Sequence, residues 1–305
     1  MLPLTRYPYR GEVCTCPVCR SADATPVSGL DRRLKRLKTM ACRGCGLFYT
    51  NPMPTSAELE RYYRDYYRFD YQWSVSGPNE RRRRKRRKEA DTRSAHVLGL
   101  LPAGARTLDF GAGSGEFVSA MLDAGFDAHG FEPGEDYGGY ARGLHGDRIS
   151  IATWQKMEYS EPFDMISAFH VLEHLADPVA AIRKAAGWLK PDGLFYIEVP
   201  DMVASYTRKA FGAFHFAHLV GFNHYNLCLA AAEAGLHPVK VIAGTGVIFS
   251  KAPHDTDREA LGALGSAETR RMLDLVSPGR TFLQHSFFRF GKRLRTVVSR
   301  PLAAR

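Results

Sequence analysis

Three glycines at alternate positions, Gly111, Gly113 and Gly115, follow the run Thr107-Leu108-Asp109-Phe110, and a helical pattern starts at once with Glu116-Phe117-Val118. Glycine takes a positive φ without strain and lets a ligand approach the backbone closely. A strand, a glycine turn and a helix in that order make a nucleotide-binding loop. An acid, Glu132, ends the next apolar run 21 positions after Gly111. A carboxylate there can accept both hydroxyls of a ribose. A second group is the pair of knuckles Cys16-Pro17-Val18-Cys19 and Cys42-Arg43-Gly44-Cys45. Each turn aims two thiolates at one point, and four thiolates complete a tetrahedral shell for structural zinc. The 22 residues between the pairs fit a long β-hairpin. A redox centre needs only one such pair, and a disulfide framework needs secretion. Cys14 is a spare, and Cys228, in an Ala/Leu-rich segment, reads as core.

The elements that must position these groups alternate along the chain. Strands are expected at 106–110, 126–132, 148–152, 163–169, 194–199, 238–243 and 246–251, with helices at 115–124, 135–144, 177–189 and 226–235. That order predicts an α/β fold with a doubly wound, seven-stranded, mostly parallel sheet. The last two strands are joined only by Gly244-Thr245, which permits an antiparallel closing hairpin and nothing else. Four regions follow: a small zinc ribbon at 1–52, a helical connector at 53–101, the core at 102–252 and a basic amphipathic tail at 253–305. Within the ribbon, Asp31 to Lys38 reads as a solvated hairpin. In the connector, Thr55-Ser56-Ala57-Glu58 is a capping box. It opens a helix with Leu59, Tyr62, Tyr63, Tyr66 and Tyr67 on one broad face, which either packs on the core or carries tyrosines over the site. A second helix, 79–101, is basic first and apolar later.

The 305 residues are 45% hydrophobic, enough for a good core, and no apolar run approaches a membrane span. The first residues lack the apolar core of a signal peptide, so a cytoplasmic protein is expected. The net charge is +10, but Arg81 to Lys88 are eight cations in a row. Without them 34 cations face 32 acids, so the body is close to neutral. From Arg270 to Arg305, nine cations stand against one acid, interleaved with Phe287, Phe288, Phe290, Leu294, Val297 and Val298. This pattern fits a helix on an anionic membrane surface, at the inner face, or a helix docked on the body with solvated arginines.

Dinucleotide enzymes want glycine at the third fingerprint position, where this chain has Glu116. A pyrophosphate would also be repelled by Asp109 and Glu116, whereas a cationic sulfonium with an amino-acid end would not. The run Leu108-Asp109-Phe110-Gly111-Ala112-Gly113-Ser114-Gly115 resembles the first motif of class I S-adenosylmethionine-dependent methyltransferases. Phe163 to Leu175, Leu189 to Pro200 and Asn226 to Ser250 resemble that family's later segments, in the expected order. The resemblance implies S-adenosylmethionine as cofactor and Glu132 as the ribose ligand. It places Asp109, Gly111, Ala112, Gly113 and Gly115 around the amino-acid end, Thr153 and Trp154 at the adenine, and Phe169 at the end of the fourth strand.

The protein must then align an acceptor and remove its proton. His170 follows the fourth strand, close to the methyl position in this fold; Glu173 and His174 come next, and His174 is often buried and structural in the superfamily. His215 and His218 are three apart, so one helical turn would bring both to one face. The ribbon, the tyrosine-rich helix, the core and the late histidine segment together resemble bacterial methyltransferases of sugar and natural-product pathways. Some of these are C-methyltransferases with a Tyr-His-Glu-His phrase whose last histidine is the base. Here the phrase is His215-Phe216-Ala217-His218, matched at His218 but not at the Tyr or Glu, and the tail is too short for those enzymes' extra domain. The expected reaction is therefore methylation of a hydroxyl, less so of carbon, on a small-molecule or saccharide acceptor, with His218 as base and His170 second. An RNA methyltransferase using the ribbon and the cationic run is the alternative, although the phrase Phe169-His170-Val171-Leu172 is not the one that base-nitrogen enzymes carry. A binding module on a decayed core is a third reading, opposed by the intact loop and Glu132.

Overall fold

The computed structural model describes residues 5–66, 80–252 and 255–277, with Gly279 and Leu283. Tyr67 and the cationic and aromatic positions from Arg280 to Arg305 lie outside the described residues.

The larger sheet has seven strands: β4 (Arg106–Phe110), β5 (Asp127–Phe131), β6 (Ile149–Ser150), β7 (Phe163–Phe169), β8 (Leu189–Glu198), β10 (His237–Ala243) and β11 (Gly246–Ser250). Their order is β10-β11-β8-β7-β4-β5-β6. The pairs among β4 to β8 are parallel, while β11 runs antiparallel to both β8 and β10. The fold class is the expected one. Strand β7, Phe-Asp-Met-Ile-Ser-Ala-Phe, is buried at five of its seven positions, as a central parallel strand covered on both faces must be. The helices on its faces are capped as their sequences dictate. Asp177 accepts from the Ala180 amide (3.0 Å) at the start of α5 (Pro178–Gly187), with proline in the first turn. Asn223 and Asn226 exchange hydrogen bonds at the start of α7 (His224–Glu233).

The ribbon is a second sheet of β1 (Ala24–Leu30), β2 (Arg36–Cys42) and β3 (Phe48–Thr50). Its fourth strand, β9 (Val220–Gly221), comes from the core, with Phe48 opposite Gly221 and Tyr49 opposite Val220. A C-terminal helix, α8 (Arg258–Leu275), clamps the same region. Thr269 Oγ1 donates to the Gly46 carbonyl (2.8 Å) and Ser266 Oγ to that of Arg43 (2.6 Å). The backbones meet so closely that a Cβ on Gly46 would stand 2.1 Å from the Gly265 carbonyl oxygen. Residues 258–275, read from the sequence as the start of a tail, are thus part of the body.

The turn after β1 differs from expectation. Asp31 and Lys35 are buried rather than solvated. Asp31 accepts from the amides of Arg33 (2.9 Å) and Lys35 (3.0 Å) and from the Tyr7 hydroxyl (2.6 Å), and the Lys35 ammonium sits 3.8 Å from the Tyr7 ring centroid. Tyr7 folds back over the turn and contacts both charged side chains, its hydroxyl at Asp31 and its ring at Lys35.

Helix α1 (Ser56–Asp65) begins at the expected Thr55–Glu58 capping box. Tyr62 is buried against Tyr7 and Phe216, so this helix packs on the body. Helix α2 (Glu80–Ala95) carries the cationic run and buries only Ala90 and Ser94. It is held by ion pairs, Arg84–Glu80 (2.5 Å), Arg87–Asp91 (2.7 Å) and Arg87–Asp123 (2.7 Å). Its arginines also stack: Arg83 and Arg86 lie over Tyr140 and Tyr137 of α4 (Glu135–His145). Exposed pairs contribute about 0.3–0.5 kcal/mol each. No helix among the described residues is long and apolar enough to cross a membrane.

Candidate active site

Strand β4 ends at Phe110, and the chain turns through Gly111 (φ 79°), Gly113 (φ 55°) and Gly115 (φ 83°) into α3 (Glu116–Asp123). The amides of Gly111 and Ala112 donate to the Phe131 carbonyl at 3.0 and 2.9 Å, which ties the loop to the end of β5. A Cβ on Gly111 would meet Val171 Cγ2 at 2.6 Å, so the position must be glycine for space as well as for φ. Glu132 follows β5. Its carboxylate accepts from the Gly113 amide (3.0 Å) and the Gly134 amide (2.9 Å). Burial raises its pKa against the pull of those amides and of Arg86. Asp109 is buried and accepts from Ser167 Oγ at 2.7 Å. Burial, the largest influence, pushes it up to about 7.

The loop therefore brings Asp109, Gly111, Ala112, Gly113, Gly115 and Glu132 together. Thr153 and Trp154 follow β6 at the same sheet edge, and Trp154 is half-buried against the core. The Phe169 ring packs on Phe117 (4.8 Å between centroids), Tyr196 (4.9 Å) and the Arg93 guanidinium (4.4 Å), beneath α2 and α3. Nothing in the residue pattern places the cationic run at this loop, yet Arg86 Nη1 stands 3.4 Å from Ser114 Oγ.

Beyond β7 lies a cluster of imidazoles around one carboxylate. His170 adopts a left-handed φ of 58°, uncommon for a residue with a side chain. Its ring bridges two acids, with Nδ1 3.6 Å from Glu173 and Nε2 3.3 Å from Glu198. Burial would lower its pKa, but Glu173 and Glu198 outweigh that and raise it to about 9. Glu198 is also gripped by Arg93 through two bonds, 2.5 and 3.1 Å. Burial disfavours its charge, but His170 and Arg93 win and hold it at about 2. Glu173 sits in a short 3-10 turn, Leu172–His174, and is 2% exposed. Its Oε2 has no hydrogen-bond partner among the described residues. Leaving such an atom unsatisfied costs about 1–3 kcal/mol. His174 places Nδ1 3.2 Å from the Tyr63 hydroxyl and Nε2 3.8 Å from Glu173 Oε1.

His218 lies with its ring 4.9 Å from that of His174. Burial, reinforced by His174, pushes it down to about 3, so the imidazole is neutral. The expected helical turn from His215 to His218 does not form. Residues 214–219 make a turn in which the His218 amide bonds the His215 carbonyl (2.9 Å). Buried His215 spends Nδ1 accepting from the Ala217 amide (3.0 Å). The two rings still stand 5.8 Å apart. The sequence pointed to Glu173 and His174 but not to the central place of Glu173; it named Tyr63 only among the tyrosines of one helix face, and it missed the Arg93–Glu198 pair. The capping box that starts α1 and the tyrosine-rich face it opens were the signals for Tyr63.

The four knuckle cysteines form a separate centre. All four sulfurs lie within 4.8 Å of one another, with Cys16–Cys45 at 3.6 Å and Cys19–Cys42 at 3.4 Å. Four thiolates this close repel unless a divalent cation sits among them, and the set fits zinc. Cys14 stands outside it, its amide bonded to Asn51, and Cys228 is core, both as expected.

A family profile described as the methyltransferase domain matches residues 81–241, more than half of the chain. The chain belongs to that family. One relative of this chain is the ubiquinone biosynthesis O-methyltransferase of Xanthomonas axonopodis pv. citri (strain 306). It is 31% identical over 144 residues, 44% of this chain and 60% of that protein. The like-named protein of Bradyrhizobium diazoefficiens is 30% identical over 118 residues, 37% of this chain and 45% of that one. The chain thus spans less than two thirds of either relative. Among solved structures it is similar to S-adenosylmethionine-bound CalS10, an amino pentose methyltransferase of Micromonospora echinaspora (19% identity, TM-score 0.44, 54% of this chain and 91% of that one). It is also similar to the CcbJ methyltransferase of Streptomyces caelestis (16% identity, TM-score 0.45, 53% and 90%).

Proposed function

We propose that this protein transfers a methyl group from S-adenosylmethionine to a hydroxyl of a small-molecule or saccharide acceptor. The observation that carries the reading is the Glu132 carboxylate, fixed by two loop amides beside the open backbone of Gly113. A Cβ added at Gly113 would meet nothing nearer than Arg86 Nη1 at 3.5 Å. Glu132 would hold the ribose, the Asp109–Gly115 loop the amino-acid end, and Thr153 and Trp154 the adenine. S-adenosylmethionine, when bound, supplies the electrophilic methyl. The protein's own part is to orient the acceptor, exclude water and take the hydroxyl proton.

His218 is the base we assign first, because its neutral ring stands 4.9 Å from that of His174 and within the Glu173–His174 cluster. His170 ranks second, since its two acid neighbours keep it protonated near neutral pH. An oxygen acceptor is favoured by the names of the curated relatives, which are O-methyltransferases. The RNA reading is weaker. Several cations of α2 are committed to Glu80, Asp91, Asp123, Tyr137 and Tyr140 rather than arrayed for phosphates. Contact with the inner, anionic membrane surface rests on the sequence of the tail alone.

The test is calorimetric titration with S-adenosylmethionine, followed by a screen of hydroxylated acceptors with methyl-labelled cofactor. Saturable binding and labelled ether products support the reading. No cofactor binding, or label appearing only in RNA, would overturn it.

A further inference from the structure

We propose that Glu173, His174 and His218 form a second metal centre, distinct from the cysteine site, which binds a divalent first-row cation and presents it to the acceptor. This rests on the methyl-transfer reading above and refines how the acceptor is held.

The donor set comes first. One carboxylate oxygen and two imidazole nitrogens lie within 4.8 Å of one another. Two imidazoles and a carboxylate suit zinc, iron(II) or cobalt(II), and three protein ligands leave coordination positions open for a substrate. Two ligands about 2.1 Å from one ion, at tetrahedral to trigonal angles, stand about 3.4–3.6 Å apart. The 3.8 Å between His174 Nε2 and Glu173 Oε1 is a few tenths wider. That is too long for a hydrogen bond and close to what two ligands of one ion span.

The second observation is independent. Glu173 is 2% exposed, yet its Oε2 has no hydrogen-bond partner among the described residues. Buried carboxylate oxygens are rarely left so. A cation in the cluster supplies the missing partner.

The third concerns orientation. Metal-bound histidines usually give their other nitrogen to a hydrogen bond that fixes the tautomer. His174 has Nδ1 at 3.2 Å from the Tyr63 hydroxyl and Nε2 toward Glu173. A proton on Nδ1, donated to the tyrosine oxygen, leaves the Nε2 lone pair for the ion. Tyr63 is thus a positioning residue. His218 is fixed differently: β9 starts two positions later and is built into the ribbon sheet.

The chemistry follows from the open positions. A vicinal diol can bind through both oxygens. The ion lowers the pKa of a bound hydroxyl, whose proton leaves to solvent. The oxygen then bonds the methyl carbon as the carbon–sulfur bond breaks, and that bond's electron pair stays on sulfur. His218 is then a ligand and no longer the base. The acceptor class is a molecule with adjacent hydroxyls.

The probe is Co²⁺, added to the full-length protein whose cysteine site is already filled with zinc. The expected result is one further equivalent of cobalt, with weak visible bands and no thiolate charge-transfer band. Glu173→Gln and His218→Ala should each weaken that binding at least 100-fold, while keeping the cysteine-site zinc and the affinity for S-adenosylmethionine. Tyr63→Phe should weaken it about 10–100-fold, the usual cost of losing a partner behind a ligand. This milder variant keeps the test open if the other two fail to fold. Absence of a second equivalent, or Co²⁺ affinity unchanged in Tyr63→Phe and in whichever ligand variants fold, overturns the proposal. If the second equivalent is absent but cofactor binding and transfer persist, only this inference fails. If the cofactor itself does not bind, the underlying reading fails instead.

Discussion

At the glycine-loop end of the crevice, the groups that matter lie between Asp109 and Gly134 and are fixed mostly by one another. At the histidine end, Tyr63, Glu173, His174 and His218 come from a connector helix, a 3-10 turn and an insertion stapled to the ribbon. The first end is a local device on the rim of a parallel sheet. The second exists only while three separate parts of the chain stay docked. This contrast gives the ribbon a structural part beyond its own cysteine centre. By lending its edge to β9, it fixes the strand two positions after His218 and so holds one wall of the histidine end. Damage to the ribbon should therefore reach the histidines and spare the loop.

The largest effect expected is that of Cys16→Ser. Structural zinc contributes about 10–16 kcal/mol of binding energy to small domains. The variant should lose its cysteine-site zinc by metal analysis and lose turnover, yet still bind S-adenosylmethionine by calorimetry. Equal loss of cofactor binding would mean the two ends are not separable. His218→Ala comes next, with turnover down about 10²–10⁴-fold and cofactor affinity nearly unchanged; unchanged Co²⁺ binding in this variant assigns His218 as the base, and lost Co²⁺ binding assigns it as a ligand. Full activity in His218→Ala with none in His170→Ala would exchange the two roles.

Glu132→Ala addresses the other end. It should weaken cofactor binding by about 1.5–3 kcal/mol, the value of a hydrogen bond to a charged group. Unchanged affinity would remove the ribose from that position. The smallest effect is a pH slope. The Asp109 carboxyl, raised from 3.8 to about 7 chiefly by burial, holds its proton more tightly in the folded protein than in the unfolded chain. Its stabilising contribution is complete below 3.8 and is lost as pH rises to about 7. Asp109→Asn lacks this slope. Its melting temperature should gain on that of the wild type across this window and then level off. Parallel curves would mean that Asp109 ionises without strain.

The contiguous motifs were readable because their geometry is local. Glycine's freedom at positive φ and the spacing from Gly111 to Glu132 do not depend on distant residues, nor does the two-residue link Gly244-Thr245 that makes β10 and β11 antiparallel. The periods of the apolar runs placed β4, β7 and α4 within about a residue. The paired cysteines were readable because knuckles bind in pairs, and the hairpin between them brings the four sulfurs together. Charge was readable only as a sum. The sequence could not say that Arg86 lies at the glycine loop, that Arg93 grips Glu198, or that Asp31 and Lys35 are buried beneath Tyr7. Where a charged side chain ends depends on which neighbour desolvates or neutralises it. The histidine end was beyond reach for the same reason. His215 and His218 were expected on one helical face, but β9 pulls the segment into the ribbon sheet. Tertiary pairing decided against local period, because the edge of β3 offered backbone hydrogen bonds that an isolated helical turn could not match.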